Sequence, residues 1–588
     1  TFLYGGTGSS NAIANGIDLS GEGGLVWGKR RNLGNSNWLI DTVKGITSRL
    51  ESDGTGAATN SSSSFTSFNS NGFTVATSDN EFNNTSGLYA SWTFRKAKKF
   101  FDVVTYTGNG TAGRTVAHNL GSVPGMMIVK CTNAGSTEWI IYHASTGATK
   151  YLLFTTAAAG TFTNFWNDTT PTDSVFSLGV NGQVNGNGDT FVAYLFASDA
   201  GGFGDDGDEN IIKCGCFSYS SSDVTVNLGW EPQWILIKNT TSAGVNWELH
   251  DTMRGFIGVF GVANGGEVLF PNLANPEAGQ TSVFKPTSTG FVMKGNEFAS
   301  GTYIYMAIRR GPMKTPDDAT KVFAIDTSGS SASQAASPPV QYYAGFPVDL
   351  MLKGADISGV STNYAHSRLT AGRLQTESRA VANYVVAHFD SSQGYRPIAL
   401  SSNLNYIAYL FQRAPGFMDV VNYIGSGSST AVTHNLGVVP ELIIGKDTAD
   451  SGADWGVYCA YAHDPTKAGA LNVGTEGWAY SSITNSQTPT ATNINATGEV
   501  NQSAEPNVLY LFATLAGVSK VGSYTGNAGY AVNVPCGFSN GARFVMIKSS
   551  AVGDWYYWDT LRGIAAGNDP YLLFNSTAAQ VTNTDYID

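Results

Sequence analysis

Along the chain, apolar runs of four to eight residues alternate with stretches of Gly, Ser, Thr and Asn, the rhythm of short strands joined by turns. One such run ends in lysine and recurs six times: Leu25-Val-Trp-Gly-Lys29, Met126-Met-Ile-Val-Lys130, Trp234-Ile-Leu-Ile-Lys238, Asp349-Leu-Met-Leu-Lys353, Leu442-Ile-Ile-Gly-Lys446 and Phe544-Val-Met-Ile-Lys548. The lysines stand 101, 108, 115, 93 and 102 residues apart, which marks an internal repeat. Nine residues after the lysine comes a Trp in four copies (Trp38, Trp139, Trp247, Trp455), with Trp555 seven and Tyr364 eleven residues on. A strand, a polar loop and an aromatic-led second strand predict a hairpin.

Two further markers run in phase. An aromatic and aliphatic strand closes five units: Tyr89–Phe94, Tyr194–Ala197, Tyr303–Ile308, Tyr406–Phe411 and Val508–Phe512. Turns of the type Ala117-His-Asn-Leu-Gly-Ser-Val-Pro124 and Thr433-His-Asn-Leu-Gly-Val-Val-Pro440 lead into the lysine strand, Asn and Gly supplying the turn and Pro tolerated where a strand begins. Three units open alike, at Val103–Gly108, Val420–Gly425 and Val521–Gly526.

Turn signals every 8 to 12 residues or so fit an antiparallel β-sandwich. The fold expected is all-β: an elongated tandem array of about six self-contained antiparallel β-sandwich modules, jelly-roll or lectin-like, each of about 100 residues. The units read as 1–102, 103–208, 209–320, 321–416 (divergent), 417–517 and 518–588 (incomplete). Links no longer than internal loops predict neighbours packed into a stiff rod. The window 377–388 carries Val381, Tyr384, Val385 and His388 at helical spacing and is left undecided between helix and strand.

Composition sharpens this picture. Gly is 69 of 588 residues and charged residues are 13%, which excludes a coiled coil or charged disordered tail, while 42% hydrophobic residues suffice for cores. A net charge of −12 with no extended basic cluster argues against a nucleic-acid partner. The five cysteines, Cys131, Cys214, Cys216, Cys459 and Cys536, form neither a CxxC pair nor an even disulfide framework. No apolar run approaches a membrane span and no secretory leader pattern opens the chain, so membrane insertion is not expected.

The candidate chemistry resolves mostly into scaffold. Asp41-Thr-Val-Lys44, Asp251-Thr-Met-Arg254 and Asp559-Thr-Leu-Arg562 set an acid three residues from a cation; a turn is preferred over a catalytic pair, because the second unit has His143 at this place. His118 and His434 share one place in the Asn-Leu-Gly turns, and neither they nor His250 has a metal-ligating or nucleophilic companion at suitable spacing. Asp205-Asp-Gly-Asp-Glu209 could hold calcium but lacks the EF-hand spacing. Asn185–Asp189 and Ser426–Ser428 are Gly-rich loops without a following helix to cradle phosphate. Phe162, Phe165, Trp166, Trp478 and Tyr480 lie in variable loops and are the candidates for binding, with packing between chains as the competitor. No catalytic residue, metal site or cofactor is expected, and the ligand-binding residues are unknown.

Four phrases carry a resemblance: Gly24-Leu-Val-Trp-x-Lys-Arg30, Trp38-x-x-Asp-Thr-x-Lys-Gly45, Ser67-Phe-Asn-Ser-Asn-Gly-Phe73 and the closing Tyr89-x-x-Trp92 strand. Together they resemble the tandem β modules of tail-fibre and other virion structural proteins of marine tailed bacteriophages, especially those of cyanobacteria. The resemblance implies a non-enzymatic virion protein, located in the phage tail and so extracellular, that mediates host adsorption. Its implied partners are other tail proteins, a host surface glycan or outer-membrane protein, and further copies of itself as a homo-oligomer, with a trimer implied by the resemblance alone. An architectural capsid or tail decoration and a bacterial adhesin of lectin-like modules are the alternatives. A polysaccharide depolymerase ranks last, for want of a paired-carboxylate constellation.

Overall fold

The computed structural model describes the chain except residues 78, 262–265, 337–338, 355–360, 371, 385–388, 397–405, 463–465, 475–477, 479, 482, 528, 565–566 and 588. One sheet plan is used five times. In the second module the order across the sheet is Phe101–Thr107, Thr190–Phe196, Met126–Cys131, Ile140–His143, Lys150–Leu153 and Gly160–Thr161, every neighbouring pair antiparallel. The opening strand therefore lies beside the closing strand, which in turn lies beside the lysine strand, and the two ends of each module meet at its sheet. A smaller sheet, Arg114–Ala117 with Val175–Leu178, completes the sandwich.

The same order recurs in the main sheets spanning 2–95, 323–411 and 418–512, and in a four-stranded version spanning 212–309. Among the described residues the sheet of the sixth module consists of Phe544–Lys548, Trp555–Asp559 and Leu572–Leu573. The protein is thus an all-β tandem of sandwich modules, and among the described residues the two α-helices are single turns, Gly182–Asn185 and Ser331–Ala335. The strand Phe101–Thr107 moves the first expected boundary back from 102 into the turn at 96–100. In the undecided window, Asn383–Tyr384 is a strand, while Val385 and His388 fall outside the described residues.

The register of the hairpins corrects two of the sequence markers. Leu25 pairs with Asp41, Met126 with His143, Trp234 with Asp251, Leu350 with Ser367, Leu442 with Cys459 and Phe544 with Asp559. Four residues beyond the first member of each pair stand Lys29, Lys130, Lys238, Gly354, Lys446 and Lys548. Lys353 is therefore one residue out of phase; it stands half-buried on the alternate side of the strand and still donates to a carbonyl of its hairpin loop, Thr362 O, at 3.3 Å. Its ammonium lies 3.8 Å from the centre of the Tyr406 ring. Four residues before the second member stand Asn37, Trp139, Trp247, Asn363, Trp455 and Trp555. Trp38 is thus displaced by one from the true Trp position and bonds Glu81 in its own module.

The lysines themselves brace the hairpins. Lys130 Nζ donates to Thr55 O at 3.1 Å and to Thr137 Oγ1 at 2.9 Å, and Lys446 Nζ to Asp450 O at 3.1 Å and Ala453 O at 3.0 Å. A buried ammonium so placed satisfies carbonyl oxygens of a loop that no strand reaches. Burial holds Lys29, Lys130 and Lys238 down to about 8.

The modules are not self-contained, which corrects the expectation of separate cores strung end to end. Trp234 and Leu236 belong to a cluster that runs unbroken through Leu3, Trp27, Met127, Trp139 and Trp247, whereas the alternating Ile235 and Ile237 face the third module's own small sheet. A second shared cluster joins Leu350, Tyr409, Ile444, Trp455, Tyr557 and Phe574. Each main sheet is thus covered on both faces, the reason its lysine strand reads as a continuous apolar run rather than an alternation. Each fully buried side chain on the shared face contributes on the order of 1.5–3 kcal/mol, which an isolated module would forfeit.

Candidate functional site at the module seams

The Asp-Thr-x-Lys/Arg turns lie where modules meet. Asp41 Oδ1 accepts from the backbone N–H of Val43 at 3.0 Å and Lys44 at 2.8 Å, and Asp251 and Asp559 repeat this with Met253, Arg254, Leu561 and Arg562. The second oxygen takes the motif's own cation, Lys44, Arg254 or Arg562. It also takes a donor from another module. Tyr194 donates its hydroxyl to Asp41 at 2.8 Å, Trp92 its indole N–H to Asp251 at 3.1 Å, and Tyr409 its hydroxyl to Asp559 at 2.6 Å. Burial and the adjacent carboxylate together push the Tyr194 phenol well above its ordinary value.

These joints close on themselves. Tyr194 of the second module meets the first, Trp92 of the first meets the third, and His143 of the second meets Tyr305 O of the third at 3.1 Å. A second series follows the same circuit. Trp139 donates to Glu51 O and Trp247 to Leu153 O, each at 2.7 Å, and Asn37 closes the turn by donating to Phe270 O at 3.1 Å and Leu273 O at 2.9 Å. The later modules copy it: Trp455 to Gln375 O and Trp555 to Ala470 O, each at 2.8 Å, with Asn363 donating to Leu573 O at 3.1 Å and Ser576 O at 2.7 Å. Trp serves the consecutive seams and Asn the seam that joins first to third. The chain therefore forms two rings of three modules.

Charged side chains lock one ring to the other. Arg413 pairs with Glu231 at 2.9 Å, Arg310 with Asp419 at 3.3 Å and Arg31 with Asp390 at 3.7 Å, and Arg368 donates to Thr252 O at 3.3 Å. The pairs of Arg413 with Glu231 and of Arg310 with Asp419 are largely buried, where removing one partner would strand the other.

The remaining candidates fall as follows. His118 Nδ1 and His434 Nδ1 accept from Leu120 and Leu436 N–H in their turns, both at 3.3 Å, and burial lowers both imidazoles. His250 meets Glu248 at 3.1 Å and packs on Phe284. Asp205 accepts from Thr315, Glu209 pairs with Arg309, and among the described residues no three metal-ligating side chains gather. Asn185, within the Gly-rich stretch, donates to Gly179 O and Thr111 O, and Ser426 bonds Ser428 O.

Of the loop aromatics, Phe165 and Trp166 are core residues at 4% and 0% exposure, which removes them as binding candidates; Trp166 packs edge-on against Tyr142. Phe162 remains exposed, resting on Phe165. Trp478 packs against Trp555, and Tyr480 lies in a short strand. The sequence did not single out a cavity of about 300 Å³ between the first and third modules, lined by Trp92, Phe94, Phe100, Phe203, Trp234 and Ile308. Its walls come from separate stretches of the chain, from Trp92 to Ile308, so no local pattern points to it.

Residues 1–312 and 411–588 match the family model described as a domain of unknown function, DUF7483. The chain belongs to the DUF7483 family. The family match passes over 313–410, the stretch that holds the fourth module with its out-of-phase Lys353 and with Ser367 in place of the seam Asp. No curated protein matches the chain. Among the described residues no helix is long and apolar enough to cross a membrane.

Proposed function

We propose that this chain is a non-enzymatic structural component of a phage virion, a tail fibre that mediates adsorption to the host surface. The observation that carries the reading is the seam chemistry: the repeated acid and cation pairs weighed as a catalytic arrangement are engaged, with tyrosines and tryptophans of the repeats, as joints between modules. Such joints suit a load-bearing particle outside a cell, because they stiffen a Gly-rich, low-charge chain without relying on disulfides. The sequence resemblance supplies the virion and tail parts of the proposal.

The proposed partners are other tail proteins, a host glycan or outer-membrane protein, and further copies of the chain, a trimer by resemblance. The aromatic cavity between the first and third modules is a candidate contact for a sugar ring, and the exposed Phe162 another. An architectural decoration without receptor contact is the second reading, favoured by the internal use of most aromatic side chains.

Immunogold electron microscopy of virions tests the assignment. Label on tail fibres, with adsorption blocked by the same antibody, is the expected result. Label on the capsid or tail with adsorption intact favours the decoration, and absence of label from virions overturns both.

A further inference from the structure

The three seams of the first ring carry equivalent backbone bonds, and one of them departs from the common residue types. Ala58 N–H donates to Thr132 O at 2.8 Å between the first and second modules, and Ala159 N–H to Thr240 O at 2.9 Å between the second and third. The second ring repeats this with Ala382 N–H and Thr448 O at 2.8 Å. Between the third module and the first, the donor is Glu277 and the acceptor is Arg31 O, at 2.7 Å. Alanine and threonine have given way to an acid and a cation, whose side chains pair at 2.7 Å beside the backbone bond.

This seam also differs in how its modules are connected. Residues 96–100 link the first module to the second and residues 197–211 the second to the third, whereas the first and third meet without a link of their own. A short direct link holds two modules at high effective concentration, so the unlinked seam is the weak one of the ring. Its return bond is different as well. Thr137 N–H donates to Thr55 O at 3.1 Å and Gly244 N–H to Thr156 O at 2.9 Å across the linked seams, whereas Ala274 O accepts from the ammonium of Lys29 at 2.8 Å.

The fourth module lies across this seam. It grips the first module through Asp390, 3.7 Å from Arg31, and through Ser392 Oγ, which accepts from Leu3 N–H at 3.1 Å. It grips the third through Arg368, which donates to Thr252 O at 3.3 Å, and through Leu369 O, which accepts from Gly258 N–H at 2.8 Å. Arg368 joins the two grips by donating also to Phe389 O at 2.6 Å. From the seam, Glu277 pairs on with Arg254 at 3.0 Å and Arg254 with Asp251 at 2.6 Å, where Trp92 of the first module donates at 3.1 Å.

We propose that the fourth module is a clasp that keeps the first ring shut, and that the seam it spans is where this ring opens. Local opening is set by the contacts of the unit that moves, and here those contacts are the ones the fourth module supplies. Opening at this seam parts Trp92 and Phe94 of the first module from Trp234 and Ile308 of the third, facing walls of the aromatic cavity, so the clasp also governs access to that cavity.

Amide hydrogen exchange on the full 1–588 chain tests this with the double variant Asp390→Asn, Ser392→Ala, which releases the grip on the first module. The expected result is exchange at Glu277 at least tenfold faster, with Ala58 and Ala159 within twofold of the parent protein and Ala382 unchanged. Unchanged exchange at Glu277 overturns the proposal, and so does an equal rise at Ala58 and Ala159, which would mean that the whole ring loosens. If Ala382 rises as well, the fourth module itself has been disturbed, and Ser392→Ala alone, which removes no ion pair, is read instead. A faster Glu277 against steady Ala58 and Ala159 then supports the clasp, and no difference among the three overturns it.

Discussion

Tyr194 and Asp41, 153 residues apart and in different modules, share a 2.8 Å hydrogen bond in a fully buried site where Asp41 also holds Lys44. The carboxylate therefore does two jobs at once: it folds its own turn through Oδ1 and fastens the next module through Oδ2. Removing the hydroxyl alone separates the two.

Tyr194→Phe should lower stability by about 1.5–3 kcal/mol, the worth of a hydrogen bond to a charged group. Urea unfolding measures the total. Hydrogen exchange should show faster opening in both 38–51 and 126–143, because the lost bond belongs to a seam and not to one module.

Asn37→Ala leaves Phe270 O and Leu273 O without their donor and should cost about 1–3 kcal/mol. Exchange should rise around 266–280, more than 200 residues away in sequence, while the seam made by Trp139 stays protected. A change confined to 30–51 would contradict the ring.

Lys130→Ala should destabilise more than Lys353→Ala, because the fully buried Lys130 braces both Thr55 and Thr137, whereas the half-buried Lys353 reaches Thr362 O at a longer 3.3 Å. Chemical denaturation of the two variants decides it, and equal losses would contradict the register shift.

Acid should loosen the first ring through His143. Burial holds this imidazole down at about 4, against about 6.5 in the unfolded chain. Between those values the unfolded state binds more protons, so the group's contribution is complete above pH 6.5 and lost as pH falls toward 4, about 3 kcal/mol over the window. His143→Gln should flatten that part of the stability profile, measured by urea midpoints from pH 7 to 4.

The strands and their repeat were legible because turn chemistry and apolar runs are local signals. Met126-Met-Ile-Val-Lys130 announced a strand, but its unbroken apolar character also meant burial on both faces, and that second meaning points to the shared cores. The displaced markers were harder. Trp38 and Lys353 match their counterparts in residue type, and only strand register shows that Asn37 and Gly354 hold the equivalent places. The ring itself rests on contacts such as Asn37 with Leu273, which no periodicity within a repeat can express.

Calorimetry of two fragments, 1–316 and 101–201, tests most directly whether three modules make one folding unit. The ring predicts a single cooperative transition for 1–316 and none for 101–201, whose sheet would expose the face that Trp27, Trp234 and Trp247 now help to bury. A cooperative transition of 101–201 at the temperature of the longer fragment would contradict it.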